Sequence, residues 1–371
     1  MKRASFLILV LLLLVPVCAA AEDTLYTVTD SVNATLFTFC GSISEGDEYI
    51  AADNTLYRIV TIDRNQATAE RIGEESMPDV SWLDTGMAQA VFAAVPAASS
   101  STGDKKLIAM YVTHSDESYV PTDGTESING QGGIYDVARQ FRDELQRLGV
   151  DVILDESTHL PHDSGAYRRS RQTAERLLQK RPDAIIDIHR DGIPDESEYA
   201  CTIKGDPASQ VRLLVGRSNQ NSEVNREFAK QIKAVADKQY PGLIKDIFIG
   251  KGNYNQDLSP NAILLEFGTH TLSKERALES TQLMANVVST ALYGQSTGSA
   301  KSEKTASSAQ ASGKNKGAIM GIGGLILIVV VGCLVYALMQ TGGGKAMSTK
   351  VKRGVSEITG GLLGKKPDKD A

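Results

Sequence analysis

Apolar and polar residues alternate in blocks through the middle of the chain, and each block has the length of one strand or one helix. Residues 107–112 and 184–188 are short, almost wholly apolar runs, which is typical of strands buried on both faces. Between them, apolar residues recur at helical spacing at Ile134, Val137, Ala138, Phe141, Leu145 and Leu148. The pattern therefore predicts strands that alternate with helices.

The same reasoning extends over residues 105–294. Strands are predicted at residues 107–112, 150–154, 184–188, 211–215 and 262–265, and helices at residues 134–148, 167–180, 223–238 and 274–292. This alternation favours an α/β domain with a mostly parallel sheet. Upstream, residues 22–78 show short strand-like runs between polar turns and predict a small β-rich domain, which an Ala/Ser-rich linker over residues 79–104 follows.

Both ends of the chain carry apolar segments outside this pattern. Residues 1–21 have a basic start, an apolar run and small residues, which predicts a secretory signal peptide; an uncleaved membrane anchor is the alternative. After a low-complexity linker over residues 295–316, the charge-free residues 317–339 are long enough to cross a bilayer core of about 30 Å. Residues 340–371 form a basic tail. We therefore expect a single-pass protein of the cell membrane, with the main domain extracytoplasmic and the tail cytoplasmic.

The net charge bears on possible partners, and the cysteines bear on possible disulfides. The formal net charge of the 371 residues is −6, which disfavours non-specific binding, so we expect no nucleic acid partner. Of the 4 cysteines, only Cys40 and Cys201 fall in the predicted soluble part. Because they lie in different predicted domains, we expect both to be buried and outside any disulfide; a disulfide between them is the alternative.

Three ionisable side chains stand directly after predicted strands. His114 follows the first strand of the main domain, His189 follows the strand at 184–188, and Glu266 follows the strand at 262–265. Ligands of open α/β sheets bind beyond the carboxyl ends of the strands. Three ionisable groups at three strand ends are hard to explain as packing, so they predict a functional site there.

The spacing around His114 favours a metal site. Glu117 stands three residues later, so a turn can aim both side chains at one point, and His189 supplies a third ligand. Catalytic zinc sites use three imidazole or carboxylate ligands and keep one position open. Glu266 is then the expected general base, which takes a proton from the attacking water and passes it to the leaving amine. Arg190 is predicted to stabilise the oxyanion or to bind a substrate carboxylate.

Other residues compete for these roles. Asp187 is expected to orient an imidazole ligand, unless strand alternation points it elsewhere. His159 and His162 are substitute ligands, and Glu126 is an alternative to Glu117. Further candidates to line the cleft or to contact an acidic polymer are His270, Arg168, Arg169 and Arg171.

Four stretches carry a family resemblance. They are residues 110–119 (MYVTHSDESY), 158–163 (THLPHD) with Tyr167, 186–191 (IDIHRD) and 264–268 (LLEFG). In this order they resemble the stage II sporulation protein P (SpoIIP) family over residues 107–293, and residues 46–57 look like the small N-terminal domain of that family. The resemblance implies a phosphorylase/hydrolase-like fold, like that of zinc amidases and carboxypeptidases. It also implies a zinc-dependent N-acetylmuramoyl-L-alanine amidase of peptidoglycan that is also credited with endopeptidase cleavage of cross-links. The residues it implies are His114, Glu117 and His189 as zinc ligands and Glu266 as the catalytic carboxylate.

The resemblance also implies a setting and partners. The family acts in septal wall thinning and engulfment during sporulation, with a SpoIID-like lytic transglycosylase and a SpoIIM-like membrane protein. Two features depart from the family pattern: Val112 stands where members often have a second histidine, and the predicted span is C-terminal. Two other functions stay open, namely a non-catalytic wall-binding scaffold and a zinc metallocarboxypeptidase. For the carboxypeptidase, Arg190 or one of Arg168, Arg169 and Arg171 offers a positive group.

Overall fold

A computed structural model describes residues 24–85 and 106–294. The predicted signal peptide, most of the linker over residues 79–104, the low-complexity linker, the predicted transmembrane helix and the basic tail lie outside these residues. Within the described ranges, no helix is long and apolar enough to cross a membrane.

Strands and helices alternate through the described part of the main domain, as the apolar pattern predicts. In chain order the strands are β1 (Thr24–Thr29), β2 (Thr35–Gly41), β3 (Glu48–Ile50), β4 (Thr55–Asp63), β5 (Gln66–Glu74), β6 (Leu107–Tyr111), β7 (Asp151–Asp155), β8 (Ala184–Asp191), β9 (Ala200–Ile203), β10 (Asp206–Ser209), β11 (Val211–Gly216), β12 (Ile244–Gly250) and β13 (Ala262–Thr269). The helices are α1 (Trp82–Thr85), α2 (Val120–Asp123), α3 (Ile134–Arg147), α4 (Ala166–Leu178), α5 (Ser222–Gln239) and α6 (Lys274–Tyr293). Short 3-10 helices lie at Glu196–Glu198 and Gln256–Leu258.

One large mixed sheet organises these elements. Its strand order is β2-β1-β5-β4-β3-β12-β11-β13-β8-β6-β7, and β9 and β10 form a separate hairpin. From β12 to β7, neighbouring strands are parallel except for β11 and β13, which pair antiparallel. The main domain thus has the mostly parallel sheet that the sequence predicts, and the N-terminal strands make the whole sheet mixed.

The N-terminal strands extend the main sheet. Strand β3 pairs antiparallel with β12, so the sheet continues from the main domain into β1–β5. Apolar side chains of these strands, such as Phe37 and Ile59, pack against Leu214, Phe248 and Leu264 on one face of the main sheet. Short strands with one apolar face need such a surface to cover it. They form a layer on the main domain, while the predicted limits of 22–78 for a separate domain stay a prediction.

Helices cover the opposite face of the same strands. Leu213, Ile247 and Leu265 project there because side chains alternate between the two faces of a strand. They are fully buried in one apolar core with residues of α5 and α6, including Phe228 and Met284. Burial of each such side chain stabilises the fold by about 1.5–3 kcal/mol. This layer fixes the sheet on which the predicted site residues lie.

The predicted site residues lie where the carboxyl ends of three neighbouring strands meet. Strands β6, β8 and β13 are neighbours and run parallel, so their carboxyl ends meet. Strands β8 and β13 continue past their predicted ends, because backbone pairing persists through the charged residues. His189 and Glu266 consequently lie within the two strands and face each other in register. A bulge follows at Gly268, whose φ of 76° favours glycine.

The two cysteines of the described region are not joined to each other. Cys40 and Cys201 are both half-buried, and no disulfide links them. The expectation that they lie outside any disulfide is confirmed, whereas the expectation of full burial is wrong. Cys40 lies near the end of β2, and Cys201 lies in the β9–β10 hairpin.

Candidate metal centre

His114, Glu117 and His189 converge at the carboxyl ends of β6 and β8. One potential ligand atom from each lies within 4.8 Å of the other two. The Glu117 Oε1 is 2.9 Å from the His114 Nδ1 and 3.2 Å from the His189 Nδ1. The centroids of the two imidazole rings are 4.8 Å apart. The structure thus brings together the three side chains that the sequence predicts as ligands.

A tight turn after β6 places Glu117. Its backbone N–H donates to the His114 carbonyl at 3.3 Å, which closes the turn expected from their spacing. Gly132 packs against this turn, since a Cβ there would lie 2.3 Å from the Glu117 carbonyl oxygen. The backbone N–H of Arg190 donates to the Glu117 Oε2 at 2.9 Å. The carboxylate is therefore held both by its own turn and by β8.

Negative charge surrounds the buried imidazole of His189. Burial alone lowers its pKa, but the Asp187 and Glu117 carboxylates outweigh burial and hold this pKa well above its usual value. Burial raises the pKa of Glu117, but the imidazoles of His189 and His114 outweigh burial and hold it well below its usual range. The two shifts share a cause, which is the attraction between the Glu117 carboxylate and the neighbouring imidazoles.

Asp187 lies beside His189, where an orienting carboxylate is predicted. Its Oδ1 is 3.1 Å from the His189 Nε2, although that nitrogen is outside hydrogen-bonding geometry. The backbone N–H and the hydroxyl of Thr113 donate to the two Asp187 oxygens at 2.9 and 2.6 Å. These bonds fix the carboxylate beside the imidazole, the position that an orienting residue needs.

Glu266 lies across the strand pair from His189. Its side chain is buried, and its Oε2 accepts a hydrogen bond from the Tyr199 hydroxyl at 3.0 Å. Burial raises the pKa of Glu266 well above its usual range, the Asp191 charge acts in the same direction, and Arg212 opposes both. A buried carboxyl of raised proton affinity suits a residue that takes and returns a proton.

The Arg190 side chain binds backbone carbonyls. Its Nε donates to Ser118 at 3.1 Å, its Nη1 to Asp191 at 3.1 Å and its Nη2 to Glu126 at 2.8 Å. These bonds direct the guanidinium towards the loop after β6. Its role in binding an oxyanion or a substrate carboxylate stays a prediction.

His162 lies next to the three-residue cluster. Its ring stacks on that of His114, with centroids 4.0 Å apart, and its Nδ1 is 3.0 Å from the Asp116 Oδ1. Tyr167 adds a second aromatic wall, 5.4 Å from the His114 ring. His162 is thus a neighbour of the group of potential ligands, which contains Glu117.

The remaining alternatives lie outside the cluster. The ring nitrogens of His159 are 2.8 Å from the Val112 carbonyl oxygen and 2.9 Å from the Thr173 hydroxyl, so this buried histidine joins packed elements. The His270 Nε2 is 3.8 Å from the Glu126 carboxylate, which is mostly exposed. Neither Glu126 nor His159 belongs to the described group of potential ligands.

The residues at this centre fit zinc. Two histidines and one glutamate match the donors that zinc binds, at about 2.0–2.2 Å from nitrogen or oxygen. A tetrahedral ion with such bonds holds neighbouring ligand atoms about 3.3 Å apart. The 2.9 and 3.2 Å between Glu117 and the two imidazoles are close to this spacing. Three protein ligands also leave the fourth position that a catalytic zinc site needs.

Comparison with models of known protein families shows which family the chain belongs to. The family model described as "Stage II sporulation protein P (SpoIIP)" matches residues 44–289, more than half of the 371 residues. The chain belongs to the stage II sporulation protein P family. The match covers β3 to α6 and therefore includes part of the N-terminal layer as well as the candidate metal centre.

One curated relative of this family member is "Stage II sporulation protein P" of Bacillus subtilis (strain 168). The two are 31% identical over 205 residues, which is 50% of this chain and 50% of the relative. The chain thus spans about half the length of the curated relative it matches.

Two solved structures of amidases were compared with this chain, and each matches about half of it. The N-acetylmuramoyl-L-alanine amidase AmiC2 of Nostoc punctiforme has 16% identity and a TM-score of 0.33, over 50% of this chain and 94% of that chain. The N-acetylmuramyl-L-alanine amidase Ami1 from Mycobacterium smegmatis has 19% identity and a TM-score of 0.34, over 51% and 95%. Because both TM-scores are below 0.5, the relationship rests on the family model.

A group of residues near Glu266 in this family member was not predicted from the sequence. They are Asp191, Tyr199, Arg212 and Asp246. Arg212 and Asp246 interrupt the apolar strands β11 and β12, and a charge inside a buried strand is a signal that the sequence does contain. Tyr199 follows a polar 3-10 helix, and no local pattern distinguishes it.

Proposed function

We propose that this family member is a zinc-dependent peptidoglycan hydrolase that cleaves the amide between N-acetylmuramic acid and L-alanine. The observation that carries the proposal is the convergence of His114, Glu117 and His189 beside the buried carboxyl of Glu266. Three zinc ligands and a general base are sufficient for amide hydrolysis. The family relationship supplies the substrate class.

The residues of the chain have separate tasks in this reaction. His114, Glu117 and His189 would hold the zinc ion, which when bound supplies a Lewis acid that polarises the scissile carbonyl. Glu266 takes a proton from the attacking water and returns it to the amine of the departing L-alanine. Asp187 holds the His189 ring in the orientation that presents its other nitrogen to the metal.

We extend the proposal to the place of action. The charge-free residues 317–339 support a single-pass anchor in the cell membrane, and residues 1–21 support export, so the catalytic domain would face the wall. Sporulation engulfment is the proposed setting, with a SpoIID-like lytic transglycosylase and a SpoIIM-like membrane protein as partners. Cleavage of stem-peptide cross-links is a proposed second activity.

The arginines near the centre support an amidase over a metallocarboxypeptidase. A carboxypeptidase needs a cation that receives the C-terminus of the substrate. Arg190 is bonded to three backbone carbonyls, Arg169 donates to the His159 carbonyl, and Arg171 binds both oxygens of Asp257. These three arginines thus already have partners within the fold.

Digestion of muropeptides tests the proposal. The purified protein is incubated with muropeptides with and without a chelator, and mass spectrometry identifies the products. Free L-alanine amino ends that disappear with chelator and return with zinc are the expected result. Loss of only a terminal residue indicates a carboxypeptidase, and zinc-loaded protein without any product indicates a wall-binding scaffold.

A further inference from the structure

A row of charged side chains crosses four neighbouring strands at the level of Glu266. In register, Asp246 of β12 lies opposite Arg212 of β11, Arg212 lies opposite Glu266 of β13, and Glu266 lies opposite His189 of β8. Side chains at paired positions of neighbouring strands project from the same face of the sheet. The row therefore leads from the sheet interior into the proposed metal site.

Arg212 is anchored by carboxylates on two sides. Its Nε and Nη2 donate to the two oxygens of Asp246 at 2.8 and 3.0 Å, and its Nη1 donates to the Asp191 Oδ2 at 2.9 Å. Arg212 and Asp246 are both 0% exposed. Buried ion pairs often stabilise a fold no more than apolar residues of the same size would. Stability alone therefore gives no reason for an arginine at this position.

Strand β2 covers the guanidinium of Arg212. The rings of Phe37 and Phe39 lie 5.7 and 5.3 Å from its Cζ, and the Thr38 carbonyl accepts a hydrogen bond from its Nη2 at 3.3 Å. Aromatic rings at this distance attract a cation. The N-terminal layer thus shields the row from water and adds a hydrogen bond to it.

Tyr199 connects the row to Glu266. Its fully buried hydroxyl lies 2.7 Å from the Asp191 Oδ2 and 3.0 Å from the Glu266 Oε2. Because Arg212 fixes Asp191, and Asp191 contacts the hydroxyl, the hydroxyl has a defined position. The hydroxyl and the Arg212 Nη1, which lies 3.8 Å from the same Glu266 Oε2, together restrain the Glu266 carboxylate.

From these contacts we propose that Tyr199 and Arg212 are positioning residues for Glu266, and that strand β2 completes their arrangement. The inference rests on the proposed function, because it assigns both residues to the same reaction. A general base has to lie within hydrogen-bonding reach of the proton that it takes. A misplacement of about 1 Å costs roughly 10²-fold in rate. The Tyr199 hydroxyl supplies the restraint that prevents it.

Tyr199→Phe tests this restraint, because it keeps the ring and removes only the hydroxyl. We expect kcat on muropeptides, counted per zinc-loaded folded molecule, to fall about 10- to 100-fold. We expect KM to stay within about 2-fold, since the restraint concerns the transition state and not substrate binding. A kcat equal to that of the wild type overturns the proposal.

Substitutions of Arg212 separate positioning from stability. Arg212→Lys keeps the charge, so we expect it to retain more kcat than Arg212→Met. Arg226→Met is the matched control, because Arg226 also binds two carboxylates, Glu48 at 2.7 Å and Glu75 at 2.6 Å, that lie outside the row. The control should lower the melting temperature and keep kcat. Equal loss of kcat in Arg226→Met and Arg212→Lys overturns the proposal.

A crystal structure of Tyr199→Phe distinguishes failure of the inference from failure of the proposed function. We expect the Glu266 carboxylate to rotate or to occupy two orientations, against one orientation in the wild type. A wild type without hydrolytic activity would overturn the proposed function, while this comparison still tests the positioning. An unmoved Glu266 carboxylate overturns the inference in either case.

Discussion

Strands β11, β12 and β13 carry different side chains towards the helices and towards the N-terminal layer. On the helix side they carry Leu213, Ile247 and Leu265. On the other side, one residue earlier or later along each strand, they carry Arg212, Asp246 and Glu266. All six residues are at most 8% exposed. At this level of the sheet the two faces therefore differ in chemistry and not in burial, while Leu214, Phe248 and Leu264 are apolar positions on the second face.

This difference separates residues that stabilise the fold from residues that serve the site. Apolar burial on the helix face contributes directly to the free energy of unfolding. Buried charges contribute less, and they need partners that fix their geometry. We therefore expect substitutions on the helix face to reduce stability and substitutions on the charged face to reduce activity.

The largest effect is expected when the charged face loses a metal ligand. His189→Ala should release zinc and abolish hydrolysis, because two ligands hold the ion weakly. Elemental analysis gives zinc per chain, and muropeptide turnover gives activity. Glu126→Gln, at an exposed acid outside the cluster, is the control and should keep both. A His189→Ala protein with a full complement of zinc would exclude this residue as a ligand.

The next effect concerns the proton-accepting group. Glu266→Gln keeps the shape of the side chain but cannot accept a proton, so we expect kcat to fall by about 10²–10⁴-fold with zinc content unchanged. Steady-state kinetics and elemental analysis measure the two quantities. Glu223→Gln, at the exposed start of α5, serves as the matched control. Turnover of Glu266→Gln at the wild-type rate would remove Glu266 from the mechanism.

A substitution on the helix face should reduce stability and leave kcat almost unchanged. Leu213→Ala leaves a cavity in the apolar core, so we expect a loss of about 2–5 kcal/mol in the free energy of unfolding. Urea unfolding measures the loss, and kcat per folded molecule should stay within about 2-fold. If kcat falls further than this, the separation of the two faces is wrong.

The smallest expected effect is a change in stability with pH, which arises from Glu75 where the N-terminal layer meets α5. Burial raises the pKa of Glu75, but hydrogen bonds from Lys230 and Arg226 outweigh burial and hold it below 4.5. A carboxyl with a lowered pKa adds stability above its unfolded pKa, and this stability is lost as pH falls through the folded pKa. Because burial of Glu75 offsets much of the effect of these hydrogen bonds, we expect at most about 1 kcal/mol.

Urea unfolding at a series of pH values from about 6 to about 3 measures this contribution. The wild type should lose more stability than Glu75→Gln, since the amide does not titrate. Glu70→Gln, at an exposed position of β5, is the control and should follow the wild type. Equal losses in the wild type and in Glu75→Gln would show that the Glu75 pairs do not stabilise the N-terminal layer.

Much of the main domain could be predicted from the sequence because its strands are continuous apolar runs. Strands β6, β8 and β13 are such runs, and the charged residues at their carboxyl ends indicate the site. His114, Glu117 and His189 were predicted as a group because a turn and two parallel strands bring them to one edge. The pattern did not show that β8 and β13 continue past their charged residues.

Other features depend on contacts between distant parts of the chain. Strand β12 was not predicted, because Lys245 and Asp246 interrupt its apolar run. Their ion-pair partners, Glu198 and Arg212, are distant in the sequence. The short strand-like runs in residues 22–78 predict strands but not the surface that covers them. The link from Tyr199 to Glu266 likewise needs the three-dimensional register of the sheet.

Anomalous diffraction at the zinc edge, from crystals of the protein grown with zinc, tests the central claim most directly. The account predicts one peak bonded to His114, Glu117 and His189 at about 2.0–2.2 Å, with the Glu266 carboxylate facing the open fourth position. A peak bonded through His162 or His270 in place of these residues, or no peak at all, would contradict it.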